Sequence, residues 1–217
     1  MYTKITSCLA CGNDELFPVL DLGNQPLANS YTTEQEQDLP EFELRINRCT
    51  HCNHVQLSVA VDPDLMFKDY LYVSGTSKTM LDHFKWFAGF TKEYSQLLFG
   101  KDRLFPISVL DIGCNDGSQL DAYKAIGCDT YGIDPAENLY PTSSAKHKIS
   151  CGYFDEFYVQ DNIGMEYEII TAQNVFAHNY DPLAFMKNVK EIMNPDSLFF
   201  VQTSQANMIL NNEFDTI

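Results

Sequence analysis

A parallel α/β sheet covered by helices on both faces, preceded by a small β-rich module built around cysteines, is the architecture this sequence predicts. Three observations predict it. Strand-like and helix-like patterns alternate from Ile107 to Gln202, a long helical stripe precedes them, and two Cys-x-x-Cys pairs sit within residues 1–62.

The first of these regions is turn-rich, with short alternating runs at Leu20–Asn24, Phe42–Ile46 and His54–Val59 that read as strands. Between Thr76 and Phe99 the apolar positions Met80, Phe84, Phe87, Tyr94 and Leu98 recur at helical spacing, which predicts a long helix with one core face. Ile107–Ile112 then reads as a buried strand, followed by a glycine turn and a helix through Leu120, Tyr123 and Ile126 that Gly127 ends. Further strands are expected at Asp129–Asp134, Lys148–Ser150, Tyr167–Ala172 and Ser197–Gln202, with a helix from Leu183 to Met193 before the last. The expected divisions are 1–62 for the cysteine module, 63–100 for a connector with the long helix, and 101–217 for the α/β domain. In such a sheet a ligand is expected at the carboxyl ends of the strands.

Composition narrows the function classes. Thirty acidic against fourteen basic side chains give a formal charge of -16, which repels phosphate backbones and anionic membranes, so neither is an expected partner. The most apolar runs, such as Leu198–Val201, are strand-length and far short of the roughly 20 residues that span a bilayer. The first residues lack the apolar stretch of a secretory signal. A cytoplasmic, reducing location is therefore expected, and the seven cysteines are not read as a disulfide framework.

Four of those cysteines form two knuckles, Cys8-Leu9-Ala10-Cys11-Gly12 and Cys49-Thr50-His51-Cys52-Asn53. Each knuckle offers two thiolates, and two knuckles complete a closed tetrahedral site for structural zinc. His51 and His54 flank the second knuckle, but four sulfurs already satisfy the metal, so the ion is expected to hold the fold and not to activate a substrate.

The other chemistry-bearing stretch is Val109-Leu110-Asp111-Ile112-Gly113-Cys114-Asn115-Asp116-Gly117, a strand entering a tight turn at a helix start. Gly113 and Gly117 lack a Cβ and let backbone approach a ligand, while Asn115 tolerates a positive φ. A glycine turn alone also suits a dinucleotide. Asp111 and Asp116, however, add negative charge where a pyrophosphate would want bare N–H groups, and so favour a cationic amine. Asp134, about twenty residues further on, ends the second strand where a carboxylate can accept from both hydroxyls of a ribose. Phe154 is read either as a surface for an adenine or as a core residue. This stretch resembles the class I methyltransferases, which wrap S-adenosylmethionine in a glycine-rich loop; that ligand carries both an ammonium and a sulfonium. The resemblance implies a Rossmann-like methyltransferase sheet.

A narrower resemblance runs in the same order along nearly the whole chain. It comprises the two knuckles, Gln25–Asn29, Val55–Leu57, Tyr70–Ser77, Asp111–Gly117, Gly132-Ile133-Asp134-Pro135 and Gln173-Asn174-Val175-Phe176-Ala177-His178. Together these resemble the zinc-bearing C-methyltransferases of deoxysugar biosynthesis, with Cys114 standing where that family commonly has serine. The resemblance implies that Tyr72 and Ser74 help cover the cofactor, that Pro135 follows the ribose carboxylate, and that Asn174 lines the pocket near the sulfonium. His178, a few residues beyond the fourth strand, is the candidate base for removing a proton beside a carbonyl. The implied substrate is a nucleotide-linked 4-keto deoxysugar; the rival readings are an O- or N-methyltransferase of another small metabolite and a catalytically silent cofactor-binding module. Residues 204–217 cannot supply both remaining strands of a seven-stranded class I sheet, and Asn212–Ile217 resembles the segment that precedes further catalytic groups. The chain is therefore expected to be C-terminally incomplete.

Overall fold

The computed structural model describes residues 1–31, 39–100, 106–203, 205 and 211. Asn212–Ile217, quoted above for its resemblance, lies outside the described residues. The chain divides into two compact units, the first built on Met1–Tyr72 and the second on Val73–Asn179 and Ala184–Gln205.

The first unit contains β1 (Tyr2–Lys4), β2 (Leu16–Pro26), β3 (Glu41–Cys49), β4 (Val55–Leu57), β5 (Val59–Val61) and the single turn α1 (Asp64–Phe67). Strands β2, β3 and β4 form one antiparallel sheet in that order, and β1 pairs with β5 in another. β2 is longer than the alternation at Leu20–Asn24 suggests; as an edge strand it accommodates Pro18 and Pro26, and its pairing slips after Pro18 and after Asp21. The run expected as one strand over His54–Val59 is two. Ser58 separates them, because its N–H bonds to Arg45 of β3 while its carbonyl accepts from Ile5 beside β1.

The second unit is a five-stranded, wholly parallel sheet in the order β10-β9-β6-β7-β8. Its strands are β6 (Ser108–Ile112), β7 (Asp129–Asp134), β8 (Lys148–Cys151), β9 (Tyr167–Gln173) and β10 (Met193–Gln202). Side chains of β6 alternate between two cores, as a strand buried on both faces requires. Leu110 and Ile112 pack with Ile133, Ile170, Phe185 and Val189 on one side, and Val109 packs with Ile169, Ala88 and Tyr123 on the other. The order reverses between β6 and β9, which makes the carboxyl ends of these two strands the natural crevice for a ligand.

The helices are α2 (Lys78–Phe99), α3 (Ser118–Ala125), α4 (Tyr140–Ser144), α5 (Glu156–Asp161) and α6 (Pro182–Ile192). α2 starts at Ser77, whose side chain accepts from the Met80 N–H, and stops at Gly100 with φ 92°. Its buried line is not the whole predicted stripe: Phe84 and Phe87 are buried, but the line continues through Ala88, Thr91 and Ser95, while Tyr94 and Leu98 are exposed. Small residues bring the helix close to the sheet, and the rings of Trp86, Phe90 and Tyr94 stack in a row beside them, Phe90 and Tyr94 meeting Phe200 of β10 edge-on. α4 and α5 escaped prediction because five and six residues give no periodic signal; Pro141 near the start of one and Asp155, capping the Tyr158 N–H, at the other are the local cues. β10 starts at Met193, earlier than expected, with a register break before Leu198. No helix among the described residues is long and apolar enough to cross a membrane.

Candidate functional site

The four knuckle cysteines meet in the first unit. Cys8 and Cys52 sulfurs are 3.6 Å apart, those of Cys11 and Cys49 are 3.7 Å apart, and all four lie within 4.8 Å of one another. A tetrahedron with metal–sulfur bonds of ~2.3 Å has sulfur–sulfur edges of about 3.8 Å, so the thiols present fit zinc. Both knuckles turn in the same way. The residue after each second cysteine, Gly12 (φ 77°) and Asn53 (φ 62°), adopts the left-handed region, and its N–H returns to the carbonyl of the first cysteine. Gln56, buried on β4, clamps the first knuckle by accepting from the Leu9 N–H and donating to the Ser7 carbonyl. Neither His51 nor His54 joins the cluster.

In the second unit the glycine turn folds back on the end of β7. The N–H groups of Gly113 and Cys114 both donate to the Ile133 carbonyl. Gly113 (φ 73°), Asn115 (φ 51°) and Gly117 (φ 83°) take left-handed conformations, which the glycine–asparagine composition permits. The space a Cβ would need is filled by protein: at Gly113 it would meet Val175 at 2.4 Å, and at Gly117 His147 at 3.0 Å. The glycines therefore serve close packing of the turn as well as backbone exposure. Cys114 is buried over Gly132 of β7, and burial pushes its thiol well above the ordinary range, so it is an inert filler.

Asp134 stands half-buried at the end of β7, where one carboxylate oxygen accepts from the Asn115 N–H (2.8 Å) and the other from the Ala136 N–H (2.8 Å) across Pro135. Each oxygen keeps a second lone pair for a ligand hydroxyl. Asp116, read from the sequence as negative charge suited to a cationic amine, also has structural work. It accepts from the Gly75 N–H (3.1 Å) and from the Ser118 N–H (3.1 Å) and hydroxyl (2.8 Å), which caps α3 and ties down the short 3₁₀ turn Ser74–Thr76. Asn115 holds the same turn by accepting from the Ser74 N–H (2.9 Å). Gly75 is required there, because a Cβ would lie 2.3 Å from the Ser118 hydroxyl. Ser118 and Gly75 were not singled out by sequence, although a serine after the turn's second glycine is a cue.

Asp111 is fully within the sheet, accepting from the Thr171 hydroxyl at 2.6 Å. Burial, reinforced by the charge of Asp134, pushes its carboxyl up to about 7. Asp134 is likewise raised by burial. This end of the sheet thus gathers carboxylates whose ionised forms a cationic ligand would stabilise. Asn174 (φ 56°) follows β9, its N–H bonded to the Gln202 carbonyl, and Val175 covers Gly113. His178 ends the 3₁₀ turn Phe176–His178; its surface is exposed, and desolvation by surrounding atoms lowers its imidazole below the ordinary value. Phe154 packs its edge toward Phe185 (5.4 Å) and Tyr158 (5.6 Å), half-buried on the core. Tyr72 belongs to the first unit, where its ring meets Tyr70 edge-on. The structure brings Ser74, Gly113, Asn115, Asp116 and Asp134 into one hydrogen-bonded loop system at the carboxyl ends of the strands.

A Rossmann-like parallel sheet with a glycine turn after its first strand and an acidic residue ending its second defines the class of protein. The chain belongs to the methyltransferase-domain family, whose model matches residues 88–217, and residues 8–67 match a zinc-binding-domain model. It is similar to the C-methyltransferase NovU of Streptomyces niveus, with 27% identity over 221 residues covering 98% of this chain and 51% of that protein. A ubiquinone biosynthesis O-methyltransferase of Methylobacterium nodulans is 27% identical over 120 residues, covering 51% and 48%. The chain spans about half the length of the curated relatives it matches. Among solved structures, the plantazolicin methyltransferase BpumL in complex with SAH aligns with a TM-score of 0.53 and 22% identity over 64% of this chain and 54% of that one, a likeness of fold.

Proposed function

We propose that this chain binds S-adenosylmethionine at the carboxyl ends of β6, β7 and β9 and serves the C-methylation of a small molecule, a nucleotide-linked 4-keto deoxysugar. The observation that carries the reading is the joint presence of the four-thiol centre and the carboxylate-lined glycine turn in a chain that aligns along 98% of its length with a C-methyltransferase. The O-methyltransferase relative matches only half of the chain, which favours carbon over oxygen as the acceptor. In this reading residues 1–62 form the zinc domain, 63–100 the connector and 101–217 the cofactor domain, working in the reducing cytoplasm where thiols stay available to the metal.

Bound S-adenosylmethionine supplies an electrophilic methyl group on a sulfonium. Asp134 would accept from the ribose hydroxyls, the backbone of Gly113 to Asn115 would hold the amino-acid portion, Asp111 would attract the ammonium, and Asn174 would lie near the sulfonium. By the family resemblance Tyr72 and Ser74 would help cover the cofactor, and Phe154 would border the adenine. His178 would take the proton from the substrate carbon beside the carbonyl, leaving an enolate as the nucleophile for the methyl group, whose bond to the sulfonium would break as S-adenosylhomocysteine leaves.

The test is transfer of labelled methyl to carbon of a nucleotide-linked 4-keto sugar by the gene product, with His178→Ala as control. Loss of a positioned base lowers turnover by about a hundredfold to ten-thousandfold. Label on oxygen or nitrogen, or undiminished turnover by the variant, refutes the assignment.

A further inference from the structure

Above the apolar layer of Val109, Ile169, Ala88 and Tyr123 lies a polar layer on the same face of the sheet, reaching its carboxyl edge. Gln173, the last residue of β9, donates from Nε2 to Oε1 of Gln119 at 2.7 Å. Gln119, buried in the first turn of α3, donates from Nε2 to the Phe84 carbonyl of α2 at 3.3 Å. Beside Phe84, His83 places Nε2 3.0 Å from Oε1 of Gln173. The circuit α2–β9–α3–α2 is therefore closed.

Its polarity follows from one fixed group. The Phe84 carbonyl can only accept, so Gln119 must present its NH2 to it and its oxygen to Gln173; Gln173 must then present its NH2 to Gln119 and its oxygen to His83. His83 is left as the donor, which requires a proton on Nε2. Neither amide can flip without breaking two bonds at once.

We propose that His83 is a positioning residue of the methyltransferase site. Through Gln173 it fixes the left-handed exit of β9 at Asn174, and through Gln119 it fixes the start of α3 behind the glycine turn. These are the two loops that meet at the strand-order reversal, so the circuit holds the walls of the cofactor crevice at their working separation. The inference rests on the cofactor reading above.

The experiment is calorimetric titration of S-adenosylhomocysteine into the unaltered 217-residue chain, His83→Phe and His83→Gln, with thermal midpoints of all three. Phenylalanine keeps the ring volume and removes the donor; glutamine places an N–H where Nε2 was. His83→Phe is expected to bind about three- to tenfold more weakly, the scale of one neutral hydrogen bond, with its midpoint lowered by no more than about 4 °C, and His83→Gln within about twofold of the unaltered chain. Equal affinity of His83→Phe, or equal weakening of both variants, overturns the proposal while leaving the cofactor reading intact; no binding by the unaltered chain overturns both. Should His83→Phe fail to fold, nitrogen-15 spectra of the unaltered protein decide. An Nε2–H imidazole whose resonances shift on addition of S-adenosylhomocysteine supports the role, and an Nδ1–H or unresponsive ring refutes it.

Discussion

Replacing Asp111 by Asn should make the protein more stable at pH 8 and at the same time a poorer binder of the cofactor product. The carboxyl is buried between β6 and β9 and is pushed from 3.8 up to about 7, chiefly by desolvation. In the unfolded chain it ionises near its ordinary value. Between those two values the folded state holds a proton that the unfolded state has released, so stability falls as pH rises. A rise of about three decades in proton affinity, at about 1.4 kcal/mol per decade, amounts to about 4 kcal/mol once the pH exceeds 7. From pH 5 to pH 8 about two of these decades are sampled, so the unaltered chain should lose about 3 kcal/mol relative to Asp111→Asn. Urea unfolding of both proteins across that range measures the difference. His147 and His178, both lowered by desolvation, titrate in both proteins and cancel, whereas Asp134, whose charge contributes to the Asp111 rise, is part of the difference measured. The asparagine oxygen can still accept from Thr171, which keeps the comparison local. Parallel stability curves for the two proteins would refute the reasoning, as would equal affinity for S-adenosylhomocysteine.

Elemental analysis should find one zinc per chain, and Cys49→Ser should abolish it and loosen the first unit, whereas Cys114→Ser should leave zinc unchanged; a metal-free chain with an ordered first unit contradicts this. Asp134→Ala should weaken S-adenosylhomocysteine binding by about 1.5 to 3 kcal/mol, read by calorimetry, through loss of charge-assisted hydrogen bonds to the ligand and release of the Asn115 N–H. Gly113→Ala should cost about 1–3 kcal/mol in chemical denaturation, because φ 73° strains any Cβ and Val175 occupies its place; an unperturbed midpoint would show that the turn is freer than its packing implies.

The parallel sheet was legible because β6 is an unbroken buried run and its neighbours are bounded by Gly127, Gly113 and Pro135, signals that act within a few residues. The zinc centre was legible because paired cysteine spacing is itself the geometry of a knuckle. What the sequence concealed were partnerships set by tertiary approach. Nothing near Asp116 in sequence says that Gly75, forty-one residues away, will take its carboxylate, or that Gln119 and Gln173 will complete a circuit with His83. The α2 stripe was misread in its second half for a related reason: hydrophobicity marked Tyr94 and Leu98, while proximity to the sheet selected the small side chains Ala88 and Ser95.

The stacking of Cys114 on Gly132 also governs which substitutions this loop can accumulate over evolutionary time. A Cβ on residue 132 would fall 2.7 Å from the Cys114 sulfur and 2.8 Å from Ile149, so that position is fenced to glycine for as long as residue 114 has a side chain of this size. Residue 114 in turn can exchange among cysteine, serine and alanine, which occupy the same small volume, but any larger replacement would have nowhere to go. Divergence at the cofactor turn is thereby channelled into a short alphabet at one site and silence at the other. The cysteine found here is one of the permitted letters.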